Sequence, residues 1–225
     1  MNHGNTNDAF QDFPFNSSES GHSTRSSIGF GKQEIGNVVI ALVVLTISFS
    51  FAFVDYPPFL HFDQVAAVIP LSFIAVLTGF LVHEMAHKYV GQRKGYWAEF
   101  RMYPLGLLLA FLASLFLGVV FAAPGAVEIS GNPDQDDMGT IALAGPASNV
   151  VLGFFFLILW LVSTGLLGSL FFFIAYINVY LAVFNLIPLG PLDGAKVFRW
   201  KKGLWGLLFG ITVIILIILW NFTTI

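Results

Sequence analysis

The ten Lys and Arg residues of this chain fall into three groups: Arg25 and Lys32; then Lys88, Arg93, Lys94 and Arg101; then Lys196, Arg199, Lys201 and Lys202. The long runs between the groups carry none, and those runs decide what the chain can fold into. Crossing the hydrocarbon core of a bilayer as a helix takes about 20 apolar residues. Stretches of roughly that length occur at 35–54, 65–90, 105–123, 141–162, 167–187 and 204–220. With 56% apolar residues, 25 Phe and 10% charged residues, the chain cannot build a water-facing shell, which in soluble domains carries about 25% charge. It reads as an all-α polytopic membrane protein of the cell membrane, a bundle of about five to six transmembrane helices surrounded by the lipid bilayer. Nothing in the basic groups points to a nucleic-acid partner.

Residues 1–33 are rich in Asn, Ser, Gly and Asp without apolar periodicity, the composition of a disordered polar tail. Residues 34–225 form the membrane domain. Between the second and third stretches, Trp97 to Tyr103 alternates bulky and polar residues as a short strand does, and Gly125 to Ile129 reads as another. Strand backbone cannot face lipid with its polar groups open, so the two strands pair, lie at the membrane surface or line a cavity. Tyr56, Trp97, Tyr103, Trp200 and Trp205 fall near the expected interfaces, as belt aromatics do.

The basic groups also constrain topology. If all three face the cytoplasm by the positive-inside rule, an even number of crossings separates each pair. Two stretches lie between the first and second groups, but three lie between the second and third. One of those three is therefore not a simple crossing.

Chemistry enters in the second stretch, at His83-Glu84-Met85-Ala86-His87. Residues four apart share a helix face, so His83 and His87 can bind one metal ion while Glu84 stands one step along the turn as acid and base. Cys is absent, so the ligands must be nitrogen and oxygen. Two His and a Glu in one turn of an apolar helix are costly, which argues against a purely structural role. A third ligand is needed, and Asp193 is the candidate. It is the only carboxylate after Asp137 and ends a segment, Asn185 to Gly194, that two prolines and two glycines unwind. Taken alone, an Asp there would be a helix cap.

Three segments together resemble the site-2 protease family of intramembrane zinc metalloproteases: His83 to His87, then Ala144-Gly145-Pro146-Ala147-Ser148-Asn149, then Asn185 through Leu192-Asp193-Gly194. The resemblance implies zinc held by His83, His87 and Asp193. It implies Glu84 as catalytic acid and base, Asn185 as a polar group near the substrate or oxyanion, and transmembrane proteins as substrates. Asn149 fits either a place near the site or an interhelical hydrogen bond. The stretch 105–123 departs from the family pattern as an apolar insertion between the two strands, so it is the one expected not to cross, as a re-entrant or surface-lying hairpin. His87 adjoins the second basic group and Asp193 the third, which places the active site toward the cytoplasmic face. The segment from Gly125 to Ile129 is expected to receive an unwound substrate as an added strand. Two other readings compete. A catalytically silent zinc-binding scaffold or chaperone has no need of Glu84, and a metal transporter would carry a second intramembrane set of ligands.

Overall fold

The fold is taken from a computed structural model that describes residues 29–55, 57–120 and 124–223. The expected tail up to residue 28, together with Arg25 and Tyr56, lies outside the described residues. Helix α1 (Lys32–Ala52) is followed by α2 (Phe62–Val76), a π-helical turn (Leu77–Leu81) and α3 (Val82–Arg93), which run on as one 32-residue apolar span. Strand β1 (Trp97–Met102), helix α4 (Pro104–Leu117) and strand β2 (Gly125–Ser130) come next. They are followed by α5 (Gln135–Leu161), α6 (Gly165–Leu186), α7 (Asp193–Trp200) and α8 (Lys202–Thr223).

Among the described residues, five helical segments are long and apolar enough to cross a membrane: α1, α2–α3, α5, α6 and α8. Their outer faces carry large apolar side chains such as Phe154, Phe155, Ile158, Ile214 and Ile217, as contact with lipid demands. Ser48, Ser50 and Thr212 donate back to the carbonyls of Val44, Thr46 and Leu208 one turn earlier, so these three hydroxyls bring no open donor into the bilayer. Helices α5 and α6 pack most extensively. At Gly153 even a methyl group would come within 2.7 Å of Val179, the close approach that small residues allow between membrane helices.

Helix α4 has 14 residues, about 21 Å at 1.5 Å per residue and so short of a span. Pro104 opens it and Gly118, in the left-handed region at φ 67°, ends it. It lies along α1, burying Leu107, Ala110 and Ser114 and setting Phe111 beside Phe51. The two ends of this excursion meet, because Tyr103 N–H donates to Pro124 C=O at 2.9 Å. The described part of the stretch is thus a short helix whose flanking residues, Tyr103 and Pro124, lie side by side, the arrangement expected of a hairpin.

Strands β1 and β2 pair antiparallel with Phe100 opposite Val127 and Glu99 opposite Glu128. The Tyr103–Pro124 bond fixes the alternation: Arg101, Glu99 and Trp97 exchange hydrogen bonds with β2, whereas Ala98, Phe100, Val127 and Ile129 aim their backbone groups outward. Helix α3 passes beneath one face of the sheet, with Gly91 at the point where a methyl would lie 3.1 Å from Ile129 and 3.2 Å from Ala98.

Segments carrying the described members of the basic groups meet at one end of the bundle. Lys94 reaches Asp137 at 2.6 Å, Gln92 bonds Gly29, and Gln135 bonds the Arg199 carbonyl at 2.9 Å. Asp134 caps α5 by accepting from Asp137 N–H at 2.7 Å, with Asp136 and Asp137 complementing the helix dipole.

Candidate active site

The π-helical turn before α3 widens the helix where it meets α6. There Thr78 accepts from Asn178, and a methyl at Gly79 would come within 2.7 Å of Leu181. Such turns cluster at functional sites, and this one precedes His83 by two residues. His83 and His87, four residues apart and both buried, turn their Nε2 atoms toward each other at 3.0 Å. From the far side of the chain, Asp193 brings Oδ2 to 3.0 Å from His87 Nε2 and 3.3 Å from His83 Nε2.

The segment between α6 and α7 delivers Asp193. It reverses with Gly190 at φ 54° and folds so tightly that a methyl on Gly194 would lie 2.1 Å from the Leu186 carbonyl oxygen. Asp193 thereby becomes the first residue of α7 and lies beside the end of α6. Burial alone would raise its carboxyl, but His87 and His83 outweigh burial and hold it well below the usual carboxylate range.

This donor set fits a zinc ion. Bonds of about 2.0–2.2 Å in a tetrahedron leave neighbouring ligand atoms about 3.3 Å apart, close to the three separations here. The Ile141 carbonyl, which can only accept, takes a hydrogen bond from His87 Nδ1 at 2.7 Å. In the neutral ring that leaves a lone pair on Nε2 aimed at the centre, the orientation a backbone carbonyl gives to metal-binding histidines. Gly145 completes the cradle: a methyl there would lie 2.2 Å from His87 Nε2 and 2.6 Å from His83 Nε2. Only glycine lets α5 approach this closely.

Glu84 lines the same cavity, of about 360 Å³, together with His83, His87 and Asp193. Its Oε2 accepts the outward N–H of Val127 on β2 at 3.2 Å. Asn185 also lines the cavity while donating to Leu181 C=O at 3.1 Å. Asn149 is fully buried in α5, is not part of the cavity wall, and its Nδ2 finds no partner among the described residues.

Several cavity residues were not apparent from the sequence. Tyr103, expected at the membrane belt, lines the cavity, as does Lys196, whose Nζ lies 3.7 Å from Asp193 Oδ1. Behind the site, Lys88 and Glu34 form a fully buried ion pair, and Glu34 Oε1 also accepts the Phe100 N–H at 3.0 Å. The only local signals for these two residues were a Lys directly after His87 and a lone Glu opening the first apolar stretch.

Comparison with known proteins agrees with this geometry. The model of peptidase family M50 matches residues 161–201, which carry Asn185 and Asp193. Over 185 residues the chain is 40% identical to the candidate zinc metalloprotease MJ0611 of Methanocaldococcus jannaschii, covering 79% of this chain and 90% of that protein. It is 31% identical over 153 residues to the candidate zinc metalloprotease YwhC of Bacillus subtilis, covering 59% of this chain and 69% of that one. No solved structure matches the chain. A multi-pass membrane chain with this likeness over most of its length belongs to the M50 family of zinc metalloproteases, the site-2 protease family, whose metal is zinc.

Proposed function

We propose that this protein is an intramembrane endopeptidase that hydrolyses peptide bonds within or beside transmembrane segments of other membrane proteins, and that His83, His87 and Asp193 hold its zinc. The observation that carries the proposal is the meeting, in one cavity, of three convergent ligand atoms, the Glu84 carboxylate and the outward edge of β2. Zinc bound there supplies a Lewis acid that polarises a carbonyl and acidifies water.

The chain's own residues do the rest. Glu84 takes a proton from the attacking water and returns it to the departing amine. A transmembrane helix hides its peptide groups in its own hydrogen bonds, so the segment to be cut must unwind, and its freed groups need new partners. The outward groups of Gly125 and Ile129 and the Val127 carbonyl offer them, the Val127 N–H being held by Glu84, and strand addition places the extended segment against Glu84. Asn185, in the cavity wall, is placed to donate to the substrate. A carboxylate beside the ligands has no purpose in a silent zinc scaffold, which favours the enzyme reading.

Lys196 lines the cavity and Lys88 directly follows His87, which supports placing the site near the end of the bundle that carries the basic residues, and we assign that end to the cytoplasm. A cysteine introduced as Asp136→Cys is then labelled from the cytoplasmic side, and labelling from the opposite side reverses the assignment. The activity itself is tested by incubating the purified full chain in lipid vesicles with a panel of single-span proteins. The wild type should cut within or beside the span, and Glu84→Gln should retain zinc but cut at least about 100-fold more slowly. Zinc binding without cleavage across the panel would return the scaffold reading.

A further inference from the structure

We infer that Glu128 selects substrates whose spans are flanked, next to the cleaved segment, by Lys or Arg; the inference rests on the proposed endopeptidase activity and names its substrate class.

Glu128 is exposed on β2 and lines the cavity that holds His83, Glu84, His87 and Asp193. Its cross-strand neighbour is another carboxylate, Glu99. Like charges directly opposite each other destabilise a strand pair. Glu99 is relieved by Arg101 at 2.9 Å, but among the described residues Glu128 has neither an ion pair nor a hydrogen bond. Lys196, the basic group of the cavity wall, already lies 3.7 Å from Asp193. Glu128 is therefore an exposed carboxylate in the cavity wall to which the fold supplies no cation among the described residues. Its charge is nonetheless felt inside the cavity: burial raises the phenol of Tyr103, and Glu128 and then Glu84 raise it further.

A strand added to the outer edge of β2 lays alternate side chains on the two faces of the sheet, and those on the face shared by Ala126 and Glu128 lie next to this unpaired carboxylate. At the membrane face where the basic groups of this chain collect, the positive-inside rule places Lys and Arg just beyond a substrate's span as well. The cation that Glu128 lacks is thus one that a substrate of this orientation carries. The competing explanation is an edge charge that merely discourages strand-to-strand aggregation, and such a charge is indifferent to the substrate's flank.

The test uses the full-length Glu84→Gln form in phosphatidylcholine vesicles, so that uncut peptide is held and lipid charge is absent. Single-span peptides identical except for Arg, Gln or Glu at the flank are titrated against it. Affinity should fall in the order Arg, Gln, Glu, by roughly three- to fivefold per step, with the spread shrinking at high salt. Adding Glu128→Arg should reverse the order, and adding Glu128→Gln should flatten it. Ratios within one variant cancel any general loss of fold. An unchanged order in Glu128→Arg, or equal affinities in the Glu84→Gln form, overturns the inference. With Glu84 intact, cutting rates should follow the same order. Equal rates that still depend on Glu84 overturn the flank preference alone and leave the endopeptidase reading standing, whereas no cutting of any peptide overturns both.

Discussion

The two outer edges of the small sheet are built from similar strands and treated in opposite ways. On β1, the outward Phe100 N–H is taken by Glu34 and the outward Ala98 C=O by Gln92 at 3.0 Å, with α1 and α3 packed against the strand. On β2, among the described residues, the outward groups meet one partner, and that partner is Glu84. An unprotected edge is a liability that proteins usually cover. Here one edge is covered with a buried ion pair, a costly device, and the other is left open above the site. The difference suits the proposed roles of the two strands: β1 is anchored by α1 and α3, and β2 offers its edge to a substrate.

The contrast can be broken at several points, beginning with the site on which both edges converge. Gly145→Val drives a side chain into the space where a methyl already lies 2.2 Å from His87 Nε2. Zinc content by mass spectrometry should fall to background while the helical circular dichroism spectrum persists, and retained zinc would remove Gly145 from the cradle. On the covered edge, Lys88→Met leaves the Glu34 carboxylate buried without its cation. The expected cost is about 3–5 kcal/mol of unfolding free energy, partly restored by adding Glu34→Gln. On the open edge the effect is smaller. Substrates with a backbone amide replaced by an ester lose one donor, about 1 kcal/mol. They should raise KM several-fold at alternate positions only, because an added strand bonds through every second residue.

The smallest effect is at the surface. The phenol of Tyr96 is pushed up to about 12, chiefly because it donates to Asp137. A group whose folded pKa is raised stabilises the fold below its ordinary value near 10 and loses that contribution as pH rises toward 12. Unfolding midpoints should therefore fall between pH 10 and 12 in the wild type and fall less in Tyr96→Phe.

Much of this was legible in the sequence because it rests on local spacing. Apolar runs mark the spans and alternation marks both strands, while 105–123, which departs from the family pattern, holds only a short helix among its described residues. The His83–Glu84–His87 turn and the unwound segment ending in Asp193 were also local. What stayed hidden depends on contacts between distant segments. Gly145 touches histidines some sixty residues earlier, and Glu34 meets Lys88 across an interval of 54 residues; neither leaves a periodic trace. Tyr103 looked like a belt aromatic because its sequence neighbours do not reveal that β1 ends at the cavity. Which edge of the sheet is open depends on the register, and the Tyr103–Pro124 bond that fixes it becomes visible only in three dimensions.

In the proposed mechanism a substrate reaches Glu84 as a strand laid on the open edge of β2. A single-span substrate carrying a photo-reactive residue beside its cleavage site can be held uncut on the Glu84→Gln form and its crosslinks mapped by mass spectrometry. The crosslinks should fall within Gly125–Ser130. Crosslinks on β1 or on α5 to α8, for a substrate that the wild type still cuts, would contradict it.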